Sequence, residues 1–179
     1  MTVVTGQSGV GKTTILKSLG FASVYFADEF VKNVLYKKGH PVYDKIIEMF
    51  SSLKQDEYID TKELGPILFA DKSKLEQVNQ MIFEYVAEWL KSLPGGSIVE
   101  MAAYMHLEEL YKPFFGKVVL IERENKDTSK FNHIKDDFQP IENKQIKYDI
   151  LIKNNGHIAD ATIELKGKLF ENKRFMNTY

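Results

Sequence analysis

The residues Gly6-Gln7-Ser8-Gly9-Val10-Gly11-Lys12-Thr13 carry the clearest chemistry in the chain. They fit the spacing G-x-x-x-x-G-K-[ST], which needs a strand before it and a helix after it. Both are present. Thr2-Val3-Val4-Thr5 is β-branched and reads as a buried strand, and Thr14-Ile15-Leu16-Lys17-Ser18-Leu19 reads as the first turns of a helix ending at Gly20. Gly6 and Gly11 permit backbone conformations that a Cβ would obstruct, so successive N–H groups can turn inward on an anion. The helix that starts near Lys12 aims its positive end at the same point. Lys12 supplies an ammonium for β- and γ-phosphates, and the Thr13 hydroxyl is placed to ligate Mg²⁺. The pattern implies a site for a nucleoside triphosphate such as ATP with Mg²⁺, in which Gly6 to Thr14 all take part.

Elements that could complete such a site follow at intervals. Ser23-Val24-Tyr25-Phe26 is a second strand, Ser97-Ile98-Val99-Glu100 a third, Val118 to Ile121 a fourth and Asp149 to Ile152 a fifth. Between them the pattern predicts helices over Glu29–Tyr36, Val42–Leu53, Asp60 or Thr61 to Phe69, a long one opened by the capping box Ser73-x-x-Glu76, and Met105–Tyr111. Ile158 to Phe170 closes the series. Strands alternating with helices imply a parallel sheet covered on both faces, and such sheets bind ligands beyond the carboxyl ends of their strands. Asp28, Glu100, Arg123 and Asn154-Asn155-Gly156 each stand just after a strand, so they join the Gly6–Thr13 loop as candidate site residues.

Each has two readings. Asp28 could orient an attacking hydroxyl and accept its proton, or cap the helix from Glu29. Glu100 could hold Mg²⁺ through water, or cap the turn before Met101. Arg123, the only arginine outside Arg174, could spread its guanidinium over phosphate oxygens, or be a solvated surface residue. Lys126, Lys130, Lys135 and Lys144 could add charge near it, Lys135 and Lys144 being the best placed. Asn154-Asn155-Gly156 suits a tight left-handed strand-to-helix turn. Phe83, Tyr85 and Trp89 form a stripe that reads as core. The four histidines show no metal spacing, and His40 and His106 are expected to face water.

Composition bounds the function. The chain has 179 residues and a net charge of −1, ordinary for one soluble domain, with no global field favouring nucleic acid or an anionic membrane. No apolar stretch approaches a membrane span. The absence of cysteine excludes thiolate chemistry and suits a reducing, cytoplasmic setting. The guanine-reading motif N-K-x-D is missing, since Asn125-Lys126-Asp127 lacks the intervening residue. Oligomeric state is not legible.

With these residues in place the chain resembles the dephospho-CoA kinases. FADEFVKNVL, from Phe26 to Leu35, resembles that family's D-A-D-x-x-x-R segment; GHPVYDKIIEMF, IDTKELGPILFADKSKLEQVNQMI and QPIENKQIKYDILIKNNG resemble its later segments in order. The departures are Phe26 for the first aspartate, Lys32 for the following arginine, Thr61 for the arginine of L-D-R, Phe83-Glu84 for His-Pro, Ala102-Ala103-Tyr104 for a proline-leucine stretch, and a short lid poor in arginine.

The resemblance implies one three-layer α/β P-loop NTPase domain over residues 1–179, with a five-stranded parallel sheet, a helical acceptor-binding part at about 37–93 and a short lid at about 123–147. It implies ATP and Mg²⁺ as cofactors and dephospho-CoA as small-molecule substrate. Asp28, Lys12 and Arg123 would be catalytic, Thr13 and Glu100 would hold metal, and the backbone of Asn154, Asn155 and Gly156 would lie against adenine. A nucleoside or nucleoside-monophosphate kinase, or a nucleotide-binding protein that has lost catalysis, are the alternatives.

Overall fold

The computed structural model describes residues 1–124 and 146–170. Lys126, Lys130, Lys135, Lys144, Arg174 and most of the expected lid lie outside them. The described elements are β1 (Thr2–Thr5), α1 (Lys12–Ser18), β2 (Val24–Phe26), α2 (Ala27–Phe30), a π-helical segment (Val31–Leu35), α3 (Pro41–Met49), α4 (Thr61–Ala70), α5 (Lys72–Ser92), β3 (Ile98–Glu100), a 3₁₀ turn (Ala102–Met105), α6 (Glu108–Tyr111), a second 3₁₀ turn (Lys112–Phe114), β4 (Lys117–Glu122), β5 (Ile150–Lys153) and α7 (Ile158–Phe170).

Val3 and Val4 are fully shielded from solvent, as the β-branched run requires of a strand buried on both faces. β1 is accordingly the centre of a five-stranded sheet ordered β2-β3-β1-β4-β5. Every pairing is parallel, with Val3 opposite Val99 on one side and Val118 on the other. The sheet therefore has the parallel, five-stranded form expected from the alternating pattern.

The chain divides into two compact units. Among the described residues, the first holds the sheet and comprises 1–26, 94–124 and 146–170. Its core joins Val4, Ile98, Val119, Ile121 and Ile152 of the strands to Ile15, Leu16 and Leu19 at α1 and Ala161 and Leu165 of α7. Burial of each valine, leucine or isoleucine among them contributes about 1.5–3 kcal/mol. Phe26 packs against this cluster, with Lys17 Nζ 5.1 Å from its ring centre.

The second unit, 27–93 among the described residues, is helical. Here local chemistry differs from the pattern in four places. The long helix is capped by Asp71, whose carboxylate accepts from Ser73 and Lys74 N–H at 3.0 and 3.2 Å, so Ser73 lies inside α5 instead of capping it. His40 is half-buried and caps α3, its Nδ1 accepting from Val42 N–H at 3.1 Å while its ring meets Tyr85 edge-on. α3 stops at Met49, yet Phe50 and Leu53 remain buried in the turn that follows. Last, the helix expected from Glu29 begins at Ala27 and widens into a π turn, where Tyr36 N–H bonds to the Val31 carbonyl at 2.9 Å. Single π turns of this kind cluster at functional sites. Ile59 N–H donates to the Tyr36 carbonyl at 3.0 Å and pins its end.

Among the described residues no helix is long and apolar enough to cross a membrane.

Candidate active site

Parallel strands bring their carboxyl ends to one edge of the sheet, and the loop after β1 sits in the middle of that edge. Gln7, Ser8 and Gly9 form its exposed crest, while Gly6 and Val10 are buried at its two feet. Gly6, Gly9 and Gly11 all have positive φ, at 144, 80 and 96°. At Gly6 the requirement is also steric, because an ideal Cβ would stand 2.2 Å from the Ile121 carbonyl oxygen. Gly6→Ala should therefore force the loop off β4 at a cost on the order of 2–4 kcal/mol. We expect its thermal unfolding, followed by circular dichroism, to fall by about 4–16 °C. Gly116→Ala, with open space at the Cβ position and no positive φ, should leave it nearly unchanged.

Gly11 also caps α1 in a left-handed conformation, with no side chain hydrogen-bonded over the helix start. A helix start without a side-chain cap can turn its N–H groups toward an anion. Lys12, only 5% exposed, folds back on the loop and donates to the Gly6 and Gln7 carbonyls, each at 2.9 Å. Its ammonium lies 3.9 Å from Glu100 Oε1.

Glu100 reaches the loop through strand register. β3 pairs with β1 so that Glu100 stands opposite Val4, and Thr13 Oγ1 donates to Glu100 Oε2 at 2.9 Å across 87 residues of sequence. Met101 N–H is taken by the Val4 carbonyl, and the 3₁₀ turn from Ala102 has no side-chain cap. The Thr13 proton is engaged by Glu100, which leaves the hydroxyl lone pairs free for a hard cation. A hydroxyl and a carboxylate suit Mg²⁺, which takes few protein oxygens and completes its shell with phosphate and water. Among the described residues no cluster of three His, Asp or Glu side chains offers a dedicated metal cage.

Asn154 and Asn155 also converge on this edge. Asn154 is buried, and its Nδ2 donates to the Val10 carbonyl at 2.8 Å. Asn155 Oδ1 accepts from Glu124 N–H at 2.9 Å, and the Glu124 carboxylate pairs with Lys153 at 2.9 Å. That pairing holds the Glu124 carboxyl below its ordinary range. Gly156 has open space around it and no positive φ, so the left-handed backbone expected of this turn is not used there. Arg123 is exposed one residue beyond β4, with no hydrogen bond or ion pair among the described residues. Thr14 is exposed in α1, its carbonyl accepting from Ser18 Oγ.

Asp28 belongs to the helical unit. It is exposed in the first turn of α2, two residues beyond β2. It is inside the helix and not ahead of it, so it does not cap the helix. Burial first, and then the Asp28 carboxylate, push the Tyr36 phenol up to about 12. Tyr36 therefore stays a neutral hydroxyl at every working pH. Tyr36 escaped sequence reasoning because its neighbourhood to Asp28 depends on the turn of α2 and the π segment.

No protein-family model matches the chain. Among curated proteins it is similar to the dephospho-CoA kinase of Mycoplasma pneumoniae, 31% identical over 132 residues that cover 69% of this chain and 66% of that one. It is also similar to the dephospho-CoA kinase of Aquifex aeolicus, 28% identical over 189 residues covering 94% of each. The solved dephospho-CoA kinase from Campylobacter jejuni superposes with a TM-score of 0.55 at 25% identity, covering 96% of this chain and 98% of that one. The chain belongs to the dephospho-CoA kinase family. A solved Thermus thermophilus structure, at a TM-score of 0.65 and 18% identity, shares the fold over 95% of this chain and 96% of that one. The match to the Carboxydothermus hydrogenoformans dephospho-CoA kinase, 34% identical, spans about half of each chain, 53% of this one and 50% of that one.

Membership of the dephospho-CoA kinase family makes the departures interpretable. Where the family motif places its first aspartate, Phe26 is half-buried against the core and under Lys17. The Phe26 side chain packs, and Asp28 is the acidic residue two positions on.

Proposed function

We propose that this chain transfers the γ-phosphoryl group of MgATP to the ribose 3′-hydroxyl of dephospho-CoA, giving CoA and ADP. The observation that carries the reading is the cluster under the loop, in which Lys12, Thr13 and Glu100 meet within hydrogen-bonding or ion-pairing range. Family membership supports dephospho-CoA as the acceptor.

The loop N–H groups and the Lys12 ammonium bind the β- and γ-phosphate oxygens, Lys12 exchanging the Gly6 and Gln7 carbonyls for stronger acceptors. Thr13 and Glu100 would hold Mg²⁺, which when bound neutralises charge on the same oxygens. Asp28 orients the 3′-hydroxyl and takes its proton as the oxygen forms its bond to the γ-phosphorus. The bond from that phosphorus to the bridging oxygen breaks, and ADP leaves with the electron pair. Arg123 spreads its guanidinium over the transferring group. The loop from Asn154 to Gly156 lies by its backbone against the adenine.

Incubation with MgATP and dephospho-CoA should yield CoA and ADP, followed by chromatography, while nucleoside monophosphates stay unphosphorylated. Turnover of a monophosphate with dephospho-CoA inert would make the chain a nucleotide kinase instead. ATP binding without turnover of either would mark a protein that has lost catalysis, for which Phe26 in place of an acidic residue is the specific motive.

A further inference from the structure

The turn after β5 reaches the phosphate loop through one side chain. Asn154 is 2% exposed, and its Nδ2 holds the Val10 carbonyl at 2.8 Å across 144 residues of sequence. The peptide from Val10 to Gly11 is planar and trans, so its carbonyl and the Gly11 N–H point in opposite directions. Fixing the carbonyl fixes that N–H, directed away from Asn154. The fit is close: a Cβ on Gly11 would stand 2.6 Å from the same Nδ2.

The amide is used on one side alone. Asn154 Oδ1 is buried with no hydrogen-bond partner among the described residues. A side chain needed only to fill this space would strand no acceptor, since a buried polar atom without a partner is costly. The neighbouring residues hold the turn independently of any nucleotide, Asn155 through Glu124 N–H and Lys153 through the Glu124 carboxylate. Asn154 thus meets the loop from a fixed base.

We propose that Asn154 is a positioning residue for the triphosphate: its amide locks the Val10–Gly11 peptide so that the loop presents its N–H groups to phosphate before phosphate arrives. The inference rests on the phosphate-loop part of the proposed function. It gives the turn after β5 a second role besides backbone contact with a base.

Calorimetric titration of the full chain with two probes, MgATP and magnesium tripolyphosphate, tests it. Asn154→Ala should weaken both by about tenfold, the worth of one buried hydrogen bond. Tripolyphosphate binding at the parental value, with or without a loss of ATP affinity, would overturn the proposal. Asn154→Asp separates donation from space-filling. At about pH 8 its carboxylate would face the Val10 carbonyl, and binding should be weaker than in Asn154→Ala. At about pH 5 the protonated acid can donate to Val10 again, and the variant should recover relative to the parent at the same pH. Asn154→Leu fills the same space without a donor and should bind both probes no better than Asn154→Ala; parental binding in that variant would also overturn the proposal. If Asn154→Ala does not fold by circular dichroism, Asn154→Ser carries the same comparison. A parent that binds neither probe would sink the functional reading itself, whereas a parent that binds both beside unaffected variants would sink this inference alone.

Discussion

Lys12→Ala is expected to lower turnover with MgATP and dephospho-CoA by at least 10²–10³-fold, on the order of the loss when one preorganised charge-stabilising donor is removed from an active site. Two effects combine. The transferring phosphoryl group loses the cation that balances its oxygens. The loop also loses the ammonium that ties the Gly6 and Gln7 carbonyls together at 2.9 Å. Lys12→Met separates them from a loss of packing, because it keeps the buried stem. Both variants leave Glu100 without the ammonium 3.9 Å away but with its bond from Thr13, so the fold should persist, as a thermal melt would show. Steady-state kinetics check the claim. Parental rates in both variants would remove Lys12 from the chemistry and the triphosphate reading with it.

Asp28→Asn should cost about 10²–10⁴-fold in turnover, the usual size of a lost general base, with ATP affinity little changed. The structure sharpens this test. Asp28 lies inside the first turn of α2, where exchanging a carboxylate for an amide alters the helix-dipole interaction by only about 0.3–1 kcal/mol. A stability effect therefore cannot imitate the kinetic one. Tyr36 should also lose part of what holds its phenol up, the part owed to the Asp28 charge, and keep the larger part owed to burial. Near-parental turnover would leave Asp28 as a solvated helix residue and the chain without a named base.

The loop was legible because its chemistry is local. Its glycines, lysine and threonine are consecutive, and a β-branched run before them can be little else than a buried strand. α7 spans Ile158 to Phe170, the bounds the pattern gives. At the start of α5 the local signal misleads. The capping box at Ser73 marks a helix start two residues late, because the Asp71 carboxylate takes both the Ser73 and Lys74 N–H groups.

The amino-acid sequence by itself determined the strand, the glycine turn and the helix of the phosphate loop, and the order of strands and helices around them. These depend on side chains a few residues apart and on hydrophobic period, which any stretch of chain carries with it. Tertiary structure alone decided that Glu100 meets Thr13, through the register of β3 on β1. It also decided that Ile121 forbids a side chain at Gly6, and that Asn154 is buried with its amide on Val10. The physical reason is that each joins residues far apart in the chain. A contact across 87 or 144 residues exists only once the sheet has closed and water has left, because a hydrogen bond made in water gains almost nothing over one to solvent.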